Sequence, residues 1–396
     1  MVHDLDALRS VISRSTFDKR LGSRDILDQS GVWRFRELVY SQAGEAAVTA
    51  PVGNTNLYSS DRVSAWTGAP GLRMKHEGEN PTGSFKDRGM TVGVTHARIT
   101  GSRVTICAST GNTSSSLAAY AAKADMRALV LIPGGEGDVA RGKLSQALAY
   151  GARTARIRGD FDAAMSVISQ IAGEPGVYVL NSINPFRLEG QKSIVYEMLQ
   201  QLDWKVPDWI VVPGGNLGNT SAFGKAIDEL CQLGLIDRRP RLAVIQAAGA
   251  NPFFQAFQAG FPATMPSVKA RTIATAIQIG APVNYLKARR SILLTDGVVE
   301  EVTDREIMDA KAQVDAAGIG CEPASAASVA GTRKLVAAGI IQPGDSVVAI
   351  LTGHILKDPD ATINYHLGRF SPGGAYANNP FDVEPSLDEV RRLLWT

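Results

Sequence analysis

The stretch WIVVPGGNLGNTSAFGKAIDEL, residues 209–230, contains the signals that decide the fold. An apolar run ends at Pro213, glycines follow at 214, 215 and 218, and a pattern with helical spacing comes next. A strand that passes through a glycine-rich turn into a helix leaves backbone N–H groups at the helix N-terminus, where they bind anions. The stretch therefore predicts one strand–helix unit of an α/β protein, with a phosphate-binding turn between the two elements.

Comparable apolar runs recur along the chain, at residues 72–75, 103–109, 128–133, 177–180, 242–247 and 346–352. Helical patterns lie between them, for example at 114–124, 138–151 and 305–318. Apolar runs without strict alternation are typical of strands buried on both faces, as in parallel sheets covered by helices. Because the strands are too many for one simple sheet, we predict a doubly wound α/β architecture with two sheets in two domains.

The composition of the 396-residue chain excludes several function classes. The net charge of +2 gives no electrostatic reason to expect a nucleic-acid or membrane partner. The start, MVHDLDALRS, lacks the apolar core of a secretory signal. The three cysteines are far apart and the five histidines are scattered, so no metal site is predicted. These properties favour a reduced, cytoplasmic enzyme.

Two further stretches place polar residues between a strand and a helix. In TICASTGNTSSSLAAY, residues 105–120, the small and polar residues at 109–113 exceed what helix capping needs and suit a carboxylate or a ring hydroxyl. In LVLIPGGEGDVARGK, residues 129–143, Gly135, Gly137 and Ala140 match a dinucleotide fingerprint, with Asp160 at a suitable distance. The same stretch has the P-loop spacing at Gly137, Gly142 and Lys143, but Leu144 stands where a P-loop needs a hydroxyl. A nicotinamide-binding site is therefore kept only as the weakest alternative.

A single lysine is placed unusually in HEGENPTGSFKDRGM, residues 76–90. Lys86 follows a Pro-Thr-Gly turn and stands at the start of a predicted helix, whereas most lysines lie on solvated helix faces. Four segments then occur in order: Ser-Phe-Lys-Asp at 84–87, Ser-Thr-Gly-Asn-Thr at 109–113, Gly-Gly-Asn-Leu-Gly-Asn at 214–219 and Leu-Thr-Gly-His at 351–354. Their combination resembles pyridoxal-phosphate enzymes of the tryptophan synthase β fold type.

Within that superfamily, residues 76–90, NPFRLEGQKS at 184–193 and LTGHILKDP at 351–359 resemble the threonine synthase family. The likeness runs from about residue 30 to 370 and implies a two-domain fold of type II, with the cofactor in the cleft between the domains. Lys86 resembles the lysine that forms a Schiff base with pyridoxal phosphate and acts as the catalytic base. A lowered pKa, produced by burial, would suit both roles.

The resemblance also assigns the remaining site residues. The cofactor contacts it implies are Lys86, Asn112, Gly215, Asn216, Leu217, Gly218, Asn219 and Thr352. The substrate contacts it implies are Ser84, Ser109, Thr110, Thr113, Asn181 and Arg187. Arg187 would hold the substrate phosphate, because a guanidinium binds phosphate through two parallel hydrogen bonds. A surface ion pair is the alternative for this arginine.

We expect the chain to divide into four parts. They are an N-terminal helical extension (1–50), a large cofactor-binding domain (51–92 with 192–370), a small mobile domain (93–191) that closes over the site, and a C-terminal tail (371–396). Ser386 and Glu389 have capping-box spacing, so the tail should contain a short helix. The family resemblance implies a homodimer.

The implied reaction converts O-phospho-L-homoserine and water to L-threonine and phosphate by β,γ-elimination and replacement. Val52, Asn56 and Ile355 depart from residues that are common in the family. The substrate assignment therefore leaves an alternative open, namely another pyridoxal-phosphate lyase or β-replacement enzyme, such as a cysteate synthase or a threonine/serine dehydratase. A non-enzymatic pyridoxal-phosphate-binding protein is the third alternative, which the intact Lys86 argues against.

Overall fold

The computed structural model describes residues 2–109, 111–133, 141–158, 161–371 and 373–394. The strands are β1 (Leu57–Ser59), β2 (Leu72–His76), β3 (Val104–Ala108), β4 (Arg127–Pro133), β5 (Arg153–Ile157), β6 (Val177–Val179), β7 (Trp209–Pro213), β8 (Arg241–Ala247), β9 (Val298–Val302) and β10 (Val347–Leu351). They form one sheet in the order β1-β2-β10-β7-β8-β9 and a second in the order β5-β4-β3-β6. Strand β1 is antiparallel to β2, and the other pairings are parallel.

The α-helices are α1 (Leu5–Arg9), α2 (Arg14–Lys19), α3 (Arg36–Val39), α4 (Asp61–Thr67), α5 (Lys86–Ile99), α6 (Asn112–Lys123), α7 (Arg141–Ala149), α8 (Phe161–Ile171), α9 (Pro185–Gln201), α10 (Gly218–Gln232), α11 (Pro252–Gln258), α12 (Tyr285–Leu294), α13 (Asp304–Ala316), α14 (Pro323–Ala337), α15 (Pro359–His366) and α16 (Leu387–Leu393). Short 3-10 helices span Arg20–Gly22, Trp33–Phe35, Ser41–Ala46, Glu77–Glu79, Thr275–Ile277 and Ile355–Lys357. The predicted α/β class with two parallel-rich sheets is confirmed.

Helix α9 is almost completely buried and packs against α5 and α10. Its start is well defined, because Asn184 Oδ1 accepts hydrogen bonds from the N–H groups of Phe186 and Arg187. Pro185 has no N–H group and so leaves no unpaired donor in the first turn. Since α5 begins at Lys86 and α10 begins in the glycine turn, α9 holds the two N-termini in fixed positions.

A buried ionic cluster lies where α9 meets α5 and β2. Arg88 Nε lies 2.6 Å from Glu77 Oε2, and Arg88 Nη2 lies 2.8 Å from Glu197 Oε1. Lys75 Nζ lies 2.6 Å from Glu197 Oε1 and also donates to Thr55 O and Gln201 Oε1. Glu197 and Glu77 raise the pKa of Arg88, although its burial opposes the charge. Every charge in the cluster has a partner, as buried charges require.

The predicted strands are confirmed, and three short ones were missed, β1, β5 and β9. All three are edge strands. Strand β5 (RTARI) contains two arginines and β9 (VVEEV) two glutamates, and both are only partly buried. Charged residues on edge strands prevent these strands from pairing with other chains. They also interrupt the apolar runs from which strands were predicted, so these strands were not recognised in the sequence. The predicted terminal helix is confirmed as α16, where Ser386 Oγ accepts from the Glu389 N–H.

Candidate active site

Lys86 is the first residue of α5 and lies beside the end of β10. The Phe85 N–H donates to Thr352 O at 3.0 Å, and Ser84 pairs with Gly353 in an isolated bridge. Gly83 precedes them with a φ of +83°, a backbone conformation that glycine adopts without strain. The backbone of the lysine segment is therefore fixed to a central strand, and Lys86 Nζ lies 4.0 Å from the centroid of the Phe85 ring.

The charge of Lys86 is controlled by its surroundings. Burial and then the positive charge of Arg187 lower the pKa of Lys86 to about 7, while Glu322 acts in the opposite direction. An ordinary lysine is almost fully protonated at neutral pH, whereas an amine with a pKa near 7 is about half unprotonated. Lys86 therefore supplies a free amine for attack on a carbonyl group or for removal of a proton.

The glycine turn predicted from the opening stretch faces this lysine. Strand β7 ends at Pro213, Leu217 has a φ of +61°, and α10 begins at Gly218. A Cβ on Gly215 would lie 3.2 Å from Ile277 Cα, so a side chain there would crowd the neighbouring backbone. One cavity is lined by Lys86, Ser182, Arg187, Gln191, Pro213, Gly215, Asn216, Leu217, Gly218 and Ala276. The helix N-terminus and the amine therefore share one space, as an anionic ligand with a reactive carbonyl would need.

Asn112 and Thr352 are both buried and both hydrogen-bonded to residues around the start of α14. Asn112 Nδ2 donates to Glu322 Oε1 at 3.0 Å and to Oε2 at 3.1 Å. Asn112 Oδ1 has no hydrogen-bond partner in the part of the chain that the structure describes. The hydroxyls of Thr352 and Ser325 are 3.0 Å apart. Both predicted cofactor residues therefore keep fixed side-chain orientations.

Arg187 is buried and only partly paired. Its Nη1 donates to Leu180 O at 3.0 Å, whereas Nε and Nη2 have no partner among the described residues. Burial lowers the pKa of Arg187 to about 10. A surface ion pair, the alternative reading of this arginine, is wrong, because the side chain is 1% exposed. A buried guanidinium with unused donors is suited to bind an anion.

The other predicted substrate residues differ in what their side chains contact. Asn181 binds the end of β3: its Oδ1 accepts from the Ala108 N–H and its Nδ2 donates to Ala108 O, both at 3.2 Å. Ser109 Oγ accepts from the Gly111 N–H at 3.1 Å, and Thr113 is buried in the first turn of α6. Ser84 is buried, and its Oγ is unpaired within the described ranges.

Some predicted residues lie outside the described residues. Thr110 is one of them, and the others form the dinucleotide fingerprint, namely Gly135, Gly137, Ala140 and Asp160. The structure therefore places neither the proposed carboxylate contact of Thr110 nor the fingerprint.

Sequence reasoning missed Glu322, Ser325 and Gln191. The first two lie in CEPASAAS, residues 321–328, where a polar residue before Pro323 at a helix start was an available signal. Gln191 stands four residues after Arg187, so helical spacing places both side chains on the same face of α9. The sequence does not show which residues of the other segments these side chains contact, and their place in the site depends on those contacts.

Unpaired polar atoms are concentrated at this site. Within the described residues, ten buried side-chain nitrogen or oxygen atoms have no hydrogen-bond partner, and seven of them belong to the site segments. These are Ser84 Oγ, Asn112 Oδ1, Arg187 Nε and Nη2, Gln191 Oε1, Asn219 Oδ1 and Thr220 Oγ1. Because buried polar groups are nearly always paired, the concentration indicates a polar ligand that completes the site.

A second polar cluster does not offer a cation site. His3, Glu189 and Glu229 bring their ligand atoms together, but Lys192 Nζ lies 2.6 Å from a carboxylate oxygen of each glutamate. The ammonium group thus occupies the position where a cation would neutralise the two carboxylates. In the described part of the chain no helix is both long enough and apolar enough to span a membrane.

Comparison with known proteins agrees with this geometry. Residues 48–353 match the family described as "Pyridoxal-phosphate dependent enzyme". The chain is 44% identical over 395 residues to the threonine synthase of Methanocaldococcus jannaschii, covering 100% of this chain and 92% of the relative. It is 47% identical over 367 residues to that of Methanosarcina acetivorans, covering 92% and 86%. Maize serine racemase superposes with a TM-score of 0.64 at 24% identity, covering 76% of this chain and 88% of that chain, and so shares the fold.

The site fits the cofactor of this family. A glycine turn at a helix N-terminus suits its phosphate, the half-unprotonated Lys86 suits its aldehyde, and unpaired Asn112 Oδ1 offers a polar contact. The chain belongs to the pyridoxal-phosphate dependent enzyme family, and within it to the threonine synthases.

Proposed function

We propose that this protein is a lyase that converts O-phospho-L-homoserine and water to L-threonine and phosphate. One observation carries the proposal: Lys86, a glycine turn and the incompletely paired Arg187 line the same cavity. The turn suits the phosphate of the cofactor, and the arginine suits a second phosphate, that of the substrate. A substrate without phosphate would leave the buried guanidinium unmatched.

The residues of the glycine turn are proposed to hold the cofactor phosphate, namely Gly215, Asn216, Leu217, Gly218 and Asn219. Asn112 would contact the ring hydroxyl and Thr352 the ring nitrogen. Thr352 carries a neutral hydroxyl, which, unlike a carboxylate, does not force that nitrogen to be protonated. When bound, pyridoxal phosphate would draw electrons from the substrate and so acidify the single proton on its Cα.

Lys86 is proposed to be the catalytic base. With a pKa of about 7, its amine accepts a proton from the substrate Cα and returns it at a later stage near neutral pH. Arg187 would hold the substrate phosphate and stabilise its negative charge as it leaves, assisted by the unpaired hydroxyl of Ser84.

The substrate carboxylate is proposed to bind at the N-terminus of α6, through Ser109, Thr110 and Thr113. Free N–H groups and hydroxyls at a helix N-terminus favour a carboxylate. Asn181 joins the end of β3 to the segment before α9 and is proposed to complete the substrate side of the site. These contacts would hold the reacting carbon atoms beside Lys86.

The division of the chain into a large domain (51–92 with 192–370) and a small domain (93–191) is also a proposal, flanked by the extension 1–50 and the tail 371–396. Its support is that β3, β4, β5 and β6 form the second sheet, while Lys86 and the glycine turn adjoin the first. Closure of the small domain would exclude water until the step that needs it. Identical small-angle scattering with and without a substrate analogue would contradict this closure.

We further propose a cytoplasmic homodimer. Val283, Leu286 and Leu293 are more than half exposed on or next to α12, and this apolar surface is the proposed interface. The free cysteines Cys107, Cys231 and Cys321 suit a reducing compartment. Light scattering at working concentration tests the dimer, and a monomer would contradict it.

The deciding experiment measures phosphate release from O-phospho-L-homoserine by the purified protein, with chromatographic identification of the amino acid formed. The Lys86→Ala variant is the control. Threonine and phosphate in equal amounts, both lost in the control, are the expected result. Cofactor binding without turnover would contradict the assignment of O-phospho-L-homoserine as the substrate. Phosphoserine with sulfite would then be the next pair of substrates to test.

A further inference from the structure

Gln191 is a buried residue of the cavity without an assigned function. It lies one turn after Arg187 on α9 and is 3% exposed. Its Oε1 has no hydrogen-bond partner within the part of the chain that is described. A buried amide oxygen left unpaired is unfavourable, so the arrangement points to a ligand that is absent from the isolated chain.

Two glycines make room for the carboxamide of Gln191. A Cβ on Gly89 would lie 3.2 Å from Gln191 Nε2, and a Cβ on Gly218 would lie 3.2 Å from Gln191 Oε1. Gly89 is on α5, one turn after Lys86, and Gly218 is the first residue of α10. The amide therefore lies between the lysine helix and the glycine turn, where phosphate groups are expected to bind.

Other glutamines of the same helix show what a structural role looks like. Gln200 Oε1 accepts from Arg34 Nη1 at 2.9 Å, and its Nε2 donates to Asp18 Oδ1 at 2.9 Å. Gln201 Oε1 accepts from Lys75 Nζ at 2.7 Å, and its Nε2 donates to Thr55 O at 2.8 Å. Both amides are paired at each end, whereas Gln191 Oε1 is not. Packing alone therefore does not explain Gln191.

We propose that Gln191 binds a phosphate group in the cavity, donating from Nε2 to a phosphate oxygen beside Arg187. A phosphate dianion only accepts hydrogen bonds, so it cannot pair with the amide oxygen. Rotation of the terminal amide by half a turn places Nε2 where Oε1 lies, next to Gly218, and Nε2 can then donate to the phosphate. The phosphate belongs either to the cofactor or to the substrate. The second source rests on the proposed function, whereas the first rests on the family alone.

The test uses three variants of the full chain. Gln191→Glu keeps the shape but puts a carboxylate near the phosphate, and Gln191→Met keeps the length without a donor. Gln255→Glu adds the same charge on the exposed face of α11 and is the matched control. Calorimetry measures inorganic phosphate binding to each holoenzyme. Absorbance measures the binding of pyridoxal phosphate, and of pyridoxal, to each apoenzyme.

If the substrate phosphate is the partner, Gln191→Glu raises the Kd for inorganic phosphate about tenfold or more, with a smaller rise in Gln191→Met. If the cofactor phosphate is the partner, the Kd for pyridoxal phosphate rises by a similar factor and that for pyridoxal does not. Gln255→Glu should change neither value.

Changes below about twofold in both Kd values of Gln191→Glu, whether or not the melting temperature falls, would overturn the proposal and leave a packing role. Failure of the wild-type protein to form threonine tests the proposed reaction and not the binding role of Gln191. It would reject the proposed reaction without altering either binding measurement.

Discussion

Two groups of cations, both in contact with α5 and α9, differ in how completely they are paired. In the ionic cluster of Lys75, Glu77, Arg88 and Glu197, each ammonium or guanidinium group meets carboxylates at 2.6–2.8 Å. In the cavity, two donor atoms of Arg187 have no partner among the described residues, and the pKa of Lys86 is lowered to about 7. Completed pairing indicates a structural role, whereas incomplete pairing is what the proposed binding of an anionic ligand would require.

The largest effect is expected from Lys86→Ala. Removal of the proposed base should lower kcat by a factor of about 10³ or more. The free energy of unfolding should stay the same or rise, because a partly buried, weakly compensated amine is lost. Steady-state kinetics and urea denaturation test the two statements. Activity within about tenfold of the wild type would show that another group acts as the base.

Arg88→Met should have the largest effect on stability. It leaves the carboxylates of Glu77 and Glu197 with one cation fewer in a buried site, which costs about 3–5 kcal/mol of the free energy of unfolding. Chemical denaturation of the apoenzyme measures the loss without interference from the cofactor. A loss below about 1 kcal/mol would mean that this pairing is not structural.

Arg187→Met is the matched variant in the cavity and should behave in the opposite manner. The Kd for inorganic phosphate should rise about 10- to 100-fold, since a charge-assisted hydrogen-bond donor is lost. The free energy of unfolding should fall by less than about 1 kcal/mol, because no carboxylate loses its partner. A large loss of stability with unchanged phosphate binding would remove the distinction between the two groups.

The smallest effect is expected from Glu322→Gln. Glu322 raises the pKa of Lys86 against burial and Arg187, so removal of its charge should move that pKa below about 7. The new amide oxygen still accepts from Asn112 Nδ2. The rate at which the apoenzyme captures pyridoxal phosphate, followed against pH, should therefore reach its midpoint at a lower pH. An upward movement of the midpoint would show that Glu322 acts on Lys86 in another way.

Most of the fold and part of the site could be predicted from the sequence. Lys86, the glycine turn and the central strands lie in local patterns, because each depends on neighbours within one strand–turn–helix unit. Burial of Arg187 could not be predicted, since it depends on how α9 packs against α5. The bond between Asn112 and Glu322 joins residues that are 210 positions apart. Pairing at such separation is a property of the packed protein.

The position of β10 has a consequence for biosynthesis. This strand, Val347–Leu351, is inserted between β2 and β7, in the middle of its sheet, although it follows both of them in the sequence. The N–H of Phe85, next to Lys86, is held by Thr352 O just beyond it. A nascent chain on the ribosome therefore has a gap between two sheet strands until residue 353 emerges. Contacts of this sequence separation form late and slowly. The segment around Lys86 therefore cannot take its final position before residues 347–353 have been synthesised, and until then the unpaired strand edges of the sheet favour aggregation.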